Sequence, residues 1–194
     1  MNRSYQVIRS RRRTVSVEIT KDLTVLVRAP KRMPLYEIDR FVESNSKWIS
    51  DHIAKAAEEK KRLDMTGPIS EDDIARMKLE AEYVIPGKVG HYADILGVTY
   101  GRITIRNQKT LWGSCTAKGN LSFNCLLMAA PDHIRDYVIV HELCHRLHMN
   151  HSREFWECVS NVIPDYKDCR KWLRNEGAVL IQSCCRQQAS GENP

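Results

Sequence analysis

The first 30 residues of the chain alternate between apolar and polar positions. Residues 5–9, 14–19 and 23–28 show this alternation and are rich in β-branched side chains, such as Val15, Val17 and Ile19. A period of two residues is typical of strands with one buried face. Basic or Lys-Asp turns separate the three segments, so the pattern predicts a β-meander.

Helical periodicity follows the predicted strands. Over residues 34–62, apolar side chains recur with the period of an amphipathic helix, and the proline at the start suits a first turn. The breaker cluster at residues 65–68 is the predicted linker. A second helix is expected over residues 70–96, with a serine N-cap and an interruption at Pro86-Gly87.

The rest of the chain combines short strands with a central apolar helix. Strand-like alternation returns over residues 97–127, with a turn at residues 118–120. Residues 134–147 are apolar on nearly every side, which is typical of a buried helix. Two more helices are expected over residues 152–162 and 166–181. The predicted fold class is therefore α+β.

These patterns divide the chain into three parts. Residues 1–66 are predicted to form the N-terminal β-meander plus amphipathic helix. Residues 67–182 are predicted to form a second domain around the buried helix, and residues 183–194 a polar, frayed tail. A chain of 194 residues can bury a core without disulfides or structural metals.

Positive charge is concentrated at the N-terminus. The net charge is +6, and residues 1–32 hold nine Lys or Arg against Glu18 and Asp22. The run Arg11-Arg12-Arg13 could meet the phosphates of a nucleotide or a nucleic acid. A solvated turn is the alternative interpretation.

Apolar runs and cysteines point to a cytoplasmic protein. No apolar run approaches the length of a membrane span, and residues 1–5 lack the features of a secretion signal. The seven cysteines show no Cys-x-x-Cys spacing, so neither a disulfide framework nor a cysteine zinc module is expected.

Residues 141–145, His-Glu-Leu-Cys-His, form an H-E-x-x-H pattern within the predicted buried helix. Residues four apart share one helix face, so the imidazoles of His141 and His145 can bind the same ion. Glu142 is turned about 100° from His141, where it can reach a metal-held water as a general base. The pattern predicts one Zn²⁺, or another divalent ion, per chain.

A catalytic zinc site usually has a third protein ligand. His151 and His148 are the local candidates. Tetrahedral coordination asks the third ligand to approach from off the helix, and Met149-Asn150 offers a turn that would let His151 fold back. We therefore favour His151 as the third ligand. His148 would lie on a similar face to His145 if the helix continued, so its direction does not exclude it as the third ligand.

Three residues are candidates for contact with the substrate. Trp112 begins a Trp-Gly-Ser-Cys run that could line the cleft, and His148 could face the substrate or support the ligands. Asn124 lies in an alternating segment. If this strand borders the site, a peptide could pair beside it.

Taken together, four segments resemble the YgjP-like metallopeptidase-type family, which is related to the SprT and WLM zincins. They are residues 112–115, 120–127, 137–145 and 151–156. The resemblance implies a zincin-like fold, zinc bound by His141, His145 and His151, and Glu142 as the base. Members of this family have been regarded both as peptidases and as nucleoside-triphosphate pyrophosphohydrolases.

The sequence thus predicts a zinc-dependent hydrolase, and we favour a metallopeptidase that acts on peptides or proteins. A metal-dependent nucleoside-triphosphate pyrophosphohydrolase is the first alternative, because the basic N-terminal residues could hold phosphates. A nucleic-acid-binding module that uses the same segment is the second. No membrane partner is expected.

Overall fold

The structure is a computed structural model that describes residues 4–20 and 22–190. The chain forms two compact units, Met1–Met65 and Thr66–Pro194. Each unit has its own buried apolar core. Among the described residues, no helix combines the length and hydropathy needed to cross a membrane.

A three-stranded sheet begins the N-terminal unit. Its strands are β1 (Tyr5–Ser10), β2 (Ser16–Ile19) and β3 (Val25–Pro30), in the order β1-β3-β2. β1 is parallel to β3 and β2 is antiparallel to it, so the predicted meander order is wrong. The physical reason is burial: β3 carries the most apolar face, with Val27 and Ala29 fully buried, and it takes the central position.

Two helices complete the N-terminal unit in place of the single helix expected. They are α1 (Leu35–Ser44) and α2 (Ser46–Thr66), and the chain breaks at Asn45. The Asn45 Nδ2 donates a 2.8 Å hydrogen bond to the Phe41 carbonyl, in competition with the helix backbone. Ile38 on α1 is fully buried and packs in one core with Val27 and Ala29.

The second unit begins with the long helix α3 (Glu71–Leu96). Ser70 caps it, because the Ser70 Oγ accepts a hydrogen bond from the Asp73 N–H at 3.0 Å. The interruption expected at Pro86-Gly87 is absent. Proline removes a single backbone donor, and the burial of Ala81, Ile85 and Val89 on the same helix offsets that loss.

The strands of the second unit form a separate three-stranded sheet. β4 (Ile103–Arg106), β5 (Gly113–Cys115) and β6 (Leu121–Asn124) lie in the order β4-β6-β5, with β4 parallel and β5 antiparallel to β6. Strand β6 is central and pairs on both sides. A peptide therefore cannot pair beside β6, contrary to the expectation for the strand that carries Asn124.

The buried helix of the second unit is α4 (Asp132–Cys144), preceded by a 3₁₀ helix, Cys125–Ala129. Nine residues of α4 are buried, which confirms the predicted central helix and the α+β class. The chain continues through α5 (Arg153–Val162), α6 (Tyr166–Trp172), a π-helical turn at Leu173–Gly177, and α7 (Ala178–Ser190). Ser183 and Cys184 are buried on α7, so the frayed tail expected from residue 183 is not observed up to residue 190.

Candidate metal centre

Three histidines meet at the end of α4. His141 lies in its last turn, His145 immediately follows it, and His151 precedes α5. One ring nitrogen from each lies within 4.8 Å of the others, and the Nε2 atoms of His141 and His151 are 3.1 Å apart. Two nitrogens about 2.05 Å from one tetrahedral zinc ion would be about 3.3 Å apart, so these residues fit such an ion.

The chain reverses between the second and third histidines. The N–H of His148 donates to the Cys144 carbonyl at 2.9 Å, which closes the helix end, and Ser152 then begins α5. The Phe155 ring is fully buried, and its centroid lies 4.6–4.9 Å from the centroids of all three imidazoles. This ring provides one apolar floor for the cluster.

Hydrogen bonds hold two of the imidazoles from behind. The His145 Nδ1 lies 3.0 Å from the His148 carbonyl oxygen, so this nitrogen donates and the Nε2 keeps its lone pair for an ion. The Tyr137 hydroxyl lies 3.4 Å from the His141 Nδ1. His148 therefore supports the cluster through its backbone, and its own ring nitrogens lie outside the group of three.

The surroundings of His141 and His151 favour the neutral form of these two imidazoles. Burial, followed by the charges of His145, His151 and Arg170, lowers the pKa of His141 to about 3. Burial, followed by the charges of His145 and Arg170, also lowers the pKa of His151. Neutral imidazole is the form that binds metal, so protons compete weakly for these nitrogens at neutral pH.

Glu142 lies on α4 beside this cluster, and it is 6% exposed. Burial raises the pKa of its carboxyl group to about 8. Strand β5 passes directly over the side chain: a Cβ at Gly113 would lie 2.7 Å from both Cγ and Oε1 of Glu142. Only glycine leaves room for the carboxylate here. The sequence predicted that the Trp-Gly-Ser-Cys run could line the cleft, but it did not predict this contact with Glu142.

Asn124 has a different role from the substrate contact expected of it. Its side chain is fully buried, and Nδ2 donates to the carbonyls of Gln108 and Leu111 at 2.8 and 3.0 Å. Its Oδ1 accepts from the Leu126 N–H at 3.1 Å. The amide therefore holds the loop between β4 and β5, and it is not presented to a substrate.

Trp112 lies at the end of the same loop. Its indole lies close to Gly177, where a Cβ would be 3.0 Å from the Trp112 Cζ2. Its carbonyl accepts a 2.9 Å hydrogen bond from the Asn124 N–H. The half-buried indole thus packs against the π-helical turn, and its contact with substrate stays a prediction.

Sequence reasoning missed two side chains near the histidines. Trp156 stacks on His151, with ring centroids 5.5 Å apart and planes at 21°. The Arg170 guanidinium lies over the same indole, 4.3 Å from its centroid. Trp156 lies in the segment 151–156 that carries the family resemblance, but its spacing does not indicate contact with a histidine, and Arg170 lies on a different helix from these motifs.

Comparisons with known proteins found one matching family and a similar solved structure. A family model described as "YgjP-like, metallopeptidase domain" matches residues 13–75 and 71–176. A crystal structure of the metallopeptidase zymogen abylysin from Pyrococcus abyssi is similar over 48% of this chain and 96% of its own, with 24% identity and a TM-score of 0.44. No curated protein matches the chain.

Proposed function

The chain belongs to the YgjP-like metallopeptidase family, and from this premise we propose that it is a zinc-dependent peptidase with Glu142 as its general base. The observation that carries the proposal is the convergence of three imidazoles beside a buried carboxyl group. His141, His145 and His151 supply the nitrogen ligands that catalytic zinc prefers, with Glu142 next to the first ligand.

Zinc, when bound, would polarise a peptide carbonyl and acidify an attacking water. The protein's own residues position the ligands and transfer a proton. The Glu142 carboxylate takes the proton of the attacking water and passes it to the leaving amine. The backbone of His148 keeps His145 in the tautomer that a ligand needs, and Phe155 excludes water from one side of the cluster.

The direct test of the proposal is hydrolysis by the Glu142→Gln variant. Glutamine preserves the shape of the side chain but cannot accept a proton, so peptide cleavage should fall by at least a hundredfold while bound metal is unchanged. Glu80→Gln is the matched control, since it removes an exposed carboxyl group on α3. Continued hydrolysis by metal-loaded Glu142→Gln would contradict the role of Glu142.

The substrate class needs a parallel measurement. Wild-type enzyme is assayed against a casein and peptide panel and, separately, for pyrophosphate release from nucleoside triphosphates. We expect cleavage of peptides alone. Release of pyrophosphate without any peptide cleavage would replace the peptidase with the nucleotide hydrolase. Arg12 of the basic run donates to the Ser16 hydroxyl within its own unit at 2.9 Å, and nothing in that contact favours a phosphate.

We further propose one zinc per chain and a cytoplasmic location. All seven cysteines are free thiols, which suits a reducing compartment. Elemental analysis of protein purified without added metal tests the first point. Stoichiometric metal that persists after His141, His145 and His151 are all changed to alanine would contradict this ligand set.

A further inference from the structure

Arg170 is an exposed cation held in place at the edge of the candidate metal centre. Its guanidinium lies 4.3 Å from the centroid of Trp156, a distance at which a cation is attracted to the face of an indole. The indole in turn stacks on the His151 imidazole and on the Tyr166 ring. Arg170 is thus one aromatic ring removed from a proposed zinc ligand.

The hydrogen-bonding groups of Arg170 have no protein partner. Within residues 4–20 and 22–190, no carboxylate lies within ion-pair distance of the guanidinium, and no side chain or carbonyl accepts a hydrogen bond from it. Two buried or loop-binding arginines of this unit behave differently: Arg135 donates to three backbone carbonyls and Arg146 to two. A stacked guanidinium keeps its planar N–H edge available for an anion.

Two cationic centres would then border the same rim once zinc is bound. The Arg170 guanidinium lies over the Trp156 indole, and that indole stacks on the His151 imidazole, so the Arg170 charge lies at the edge of the cluster. A neutral peptide segment gains nothing from this charge. A carboxylate gains a partner whose two parallel N–H groups match its two oxygens.

We propose that Arg170 binds a carboxylate of the substrate, and thereby directs cleavage to peptide bonds near an acidic side chain or a free C-terminus. This inference rests on the proposed peptidase function. An acidic side chain and a free C-terminus present the same carboxylate group, so Arg170 could bind either in the same way.

The test uses matched peptides and the full-length, zinc-loaded chain. One pair differs by Glu against Gln near the scissile bond, and a second pair by a free against an amidated C-terminus. We expect wild-type enzyme to favour one carboxylate peptide by about tenfold in kcat/KM, mainly through KM. Which of the two pairs shows the preference identifies the source of the carboxylate.

Variants assign the preference to Arg170. Arg170→Gln should make kcat/KM equal for the two members of the peptide pair, and Arg170→Lys should keep part of the preference. Lys171→Gln is the control, because it removes the same charge from the adjacent exposed position of α6. Circular dichroism and thermal melting confirm that each variant is folded.

Three results would overturn the inference. Wild-type enzyme could cleave both members of each pair equally, or Arg170→Gln could lose activity equally on charged and neutral peptides. If the wild-type enzyme cleaves no peptide at all, the peptidase proposal is contradicted. Titration calorimetry with the same peptides then tests, independently of cleavage, whether Arg170 binds a carboxylate. Equal affinities of the acidic and neutral peptides for the wild-type protein would show that Arg170 binds no carboxylate.

Discussion

The Glu142 carboxyl group is buried on α4 and, among the described residues, it accepts no hydrogen bond. A buried group of this kind costs stability whenever it must be charged. Replacement of Glu142 by glutamine should therefore stabilise the metal-free protein in a pH-dependent way, although the same change removes hydrolysis. Such a trade-off is expected where a residue serves chemistry at the expense of the fold.

The size of the effect follows from the two pKa values of Glu142. The unfolded chain releases this proton near the ordinary pKa of 4.5, whereas burial raises the pKa in the folded chain to about 8. The contribution of Glu142 to stability is complete below pH 4.5 and is lost as the pH rises through 8. At about 1.4 kcal/mol per pH unit, the free energy of unfolding falls by roughly 3 kcal/mol between pH 4.5 and pH 7.

Urea denaturation in the presence of a chelator measures this difference. Of the four tryptophans, Trp112, Trp156 and Trp172 lie in the unit that holds Glu142, so fluorescence follows the unfolding of that unit. The advantage of Glu142→Gln over wild type should grow steadily from pH 5 to pH 8. Glu80→Gln should show no such trend. A stability difference between Glu142→Gln and wild type that is constant across this pH range would refute the reasoning. Titration of a buried carboxyl group must make that difference depend on pH.

Three other changes test separate parts of the site. Gly113→Ala places a Cβ 2.7 Å from Glu142 atoms, so peptide turnover should fall about a hundredfold while elemental analysis finds the metal retained; unchanged turnover would mean that the carboxylate has room to move. Asn124→Ala removes three hydrogen bonds from a fully buried side chain to the backbone and should lower the free energy of unfolding in urea by about 3 kcal/mol, and a loss below 1 kcal/mol would contradict this account. Zinc at about a hundred times its Kd should add about 2.7 kcal/mol of stability, seen as a higher Tm by calorimetry, and identical Tm values with and without zinc would exclude the site.

Sequence could predict the features of the site that depend on local periodicity. The spacing of His141 and His145 is set by the last turn of one helix and its C-cap residue, and the turn before His151 is indicated by Asn150, six residues beyond the end of that helix. The α+β class follows from the change between periods of two and 3.6. These inferences need no knowledge of how distant segments meet.

Features that depend on distant contacts could not be predicted in this way. The contact of Gly113 with Glu142 joins β5 to α4, and the stacking of Arg170 on Trp156 joins α6 to α5. Asn124 alternates with apolar neighbours, as a substrate-facing strand residue does, yet its amide is held by a loop 13 to 16 residues away. Strand order is equally non-local, since alternation defines each strand but not its neighbour.

Helix α4 is at once the most buried helix of its unit and the carrier of His141 and Glu142. Its side chains cannot align until the surrounding core has packed, and a ligand set that needs the folded chain binds metal only afterwards. An unfolded copy of this protein would therefore lack the metal that the proposed hydrolysis requires. The proposed activity would begin only when the core around α4 has packed, so folding itself controls when the metal centre is complete.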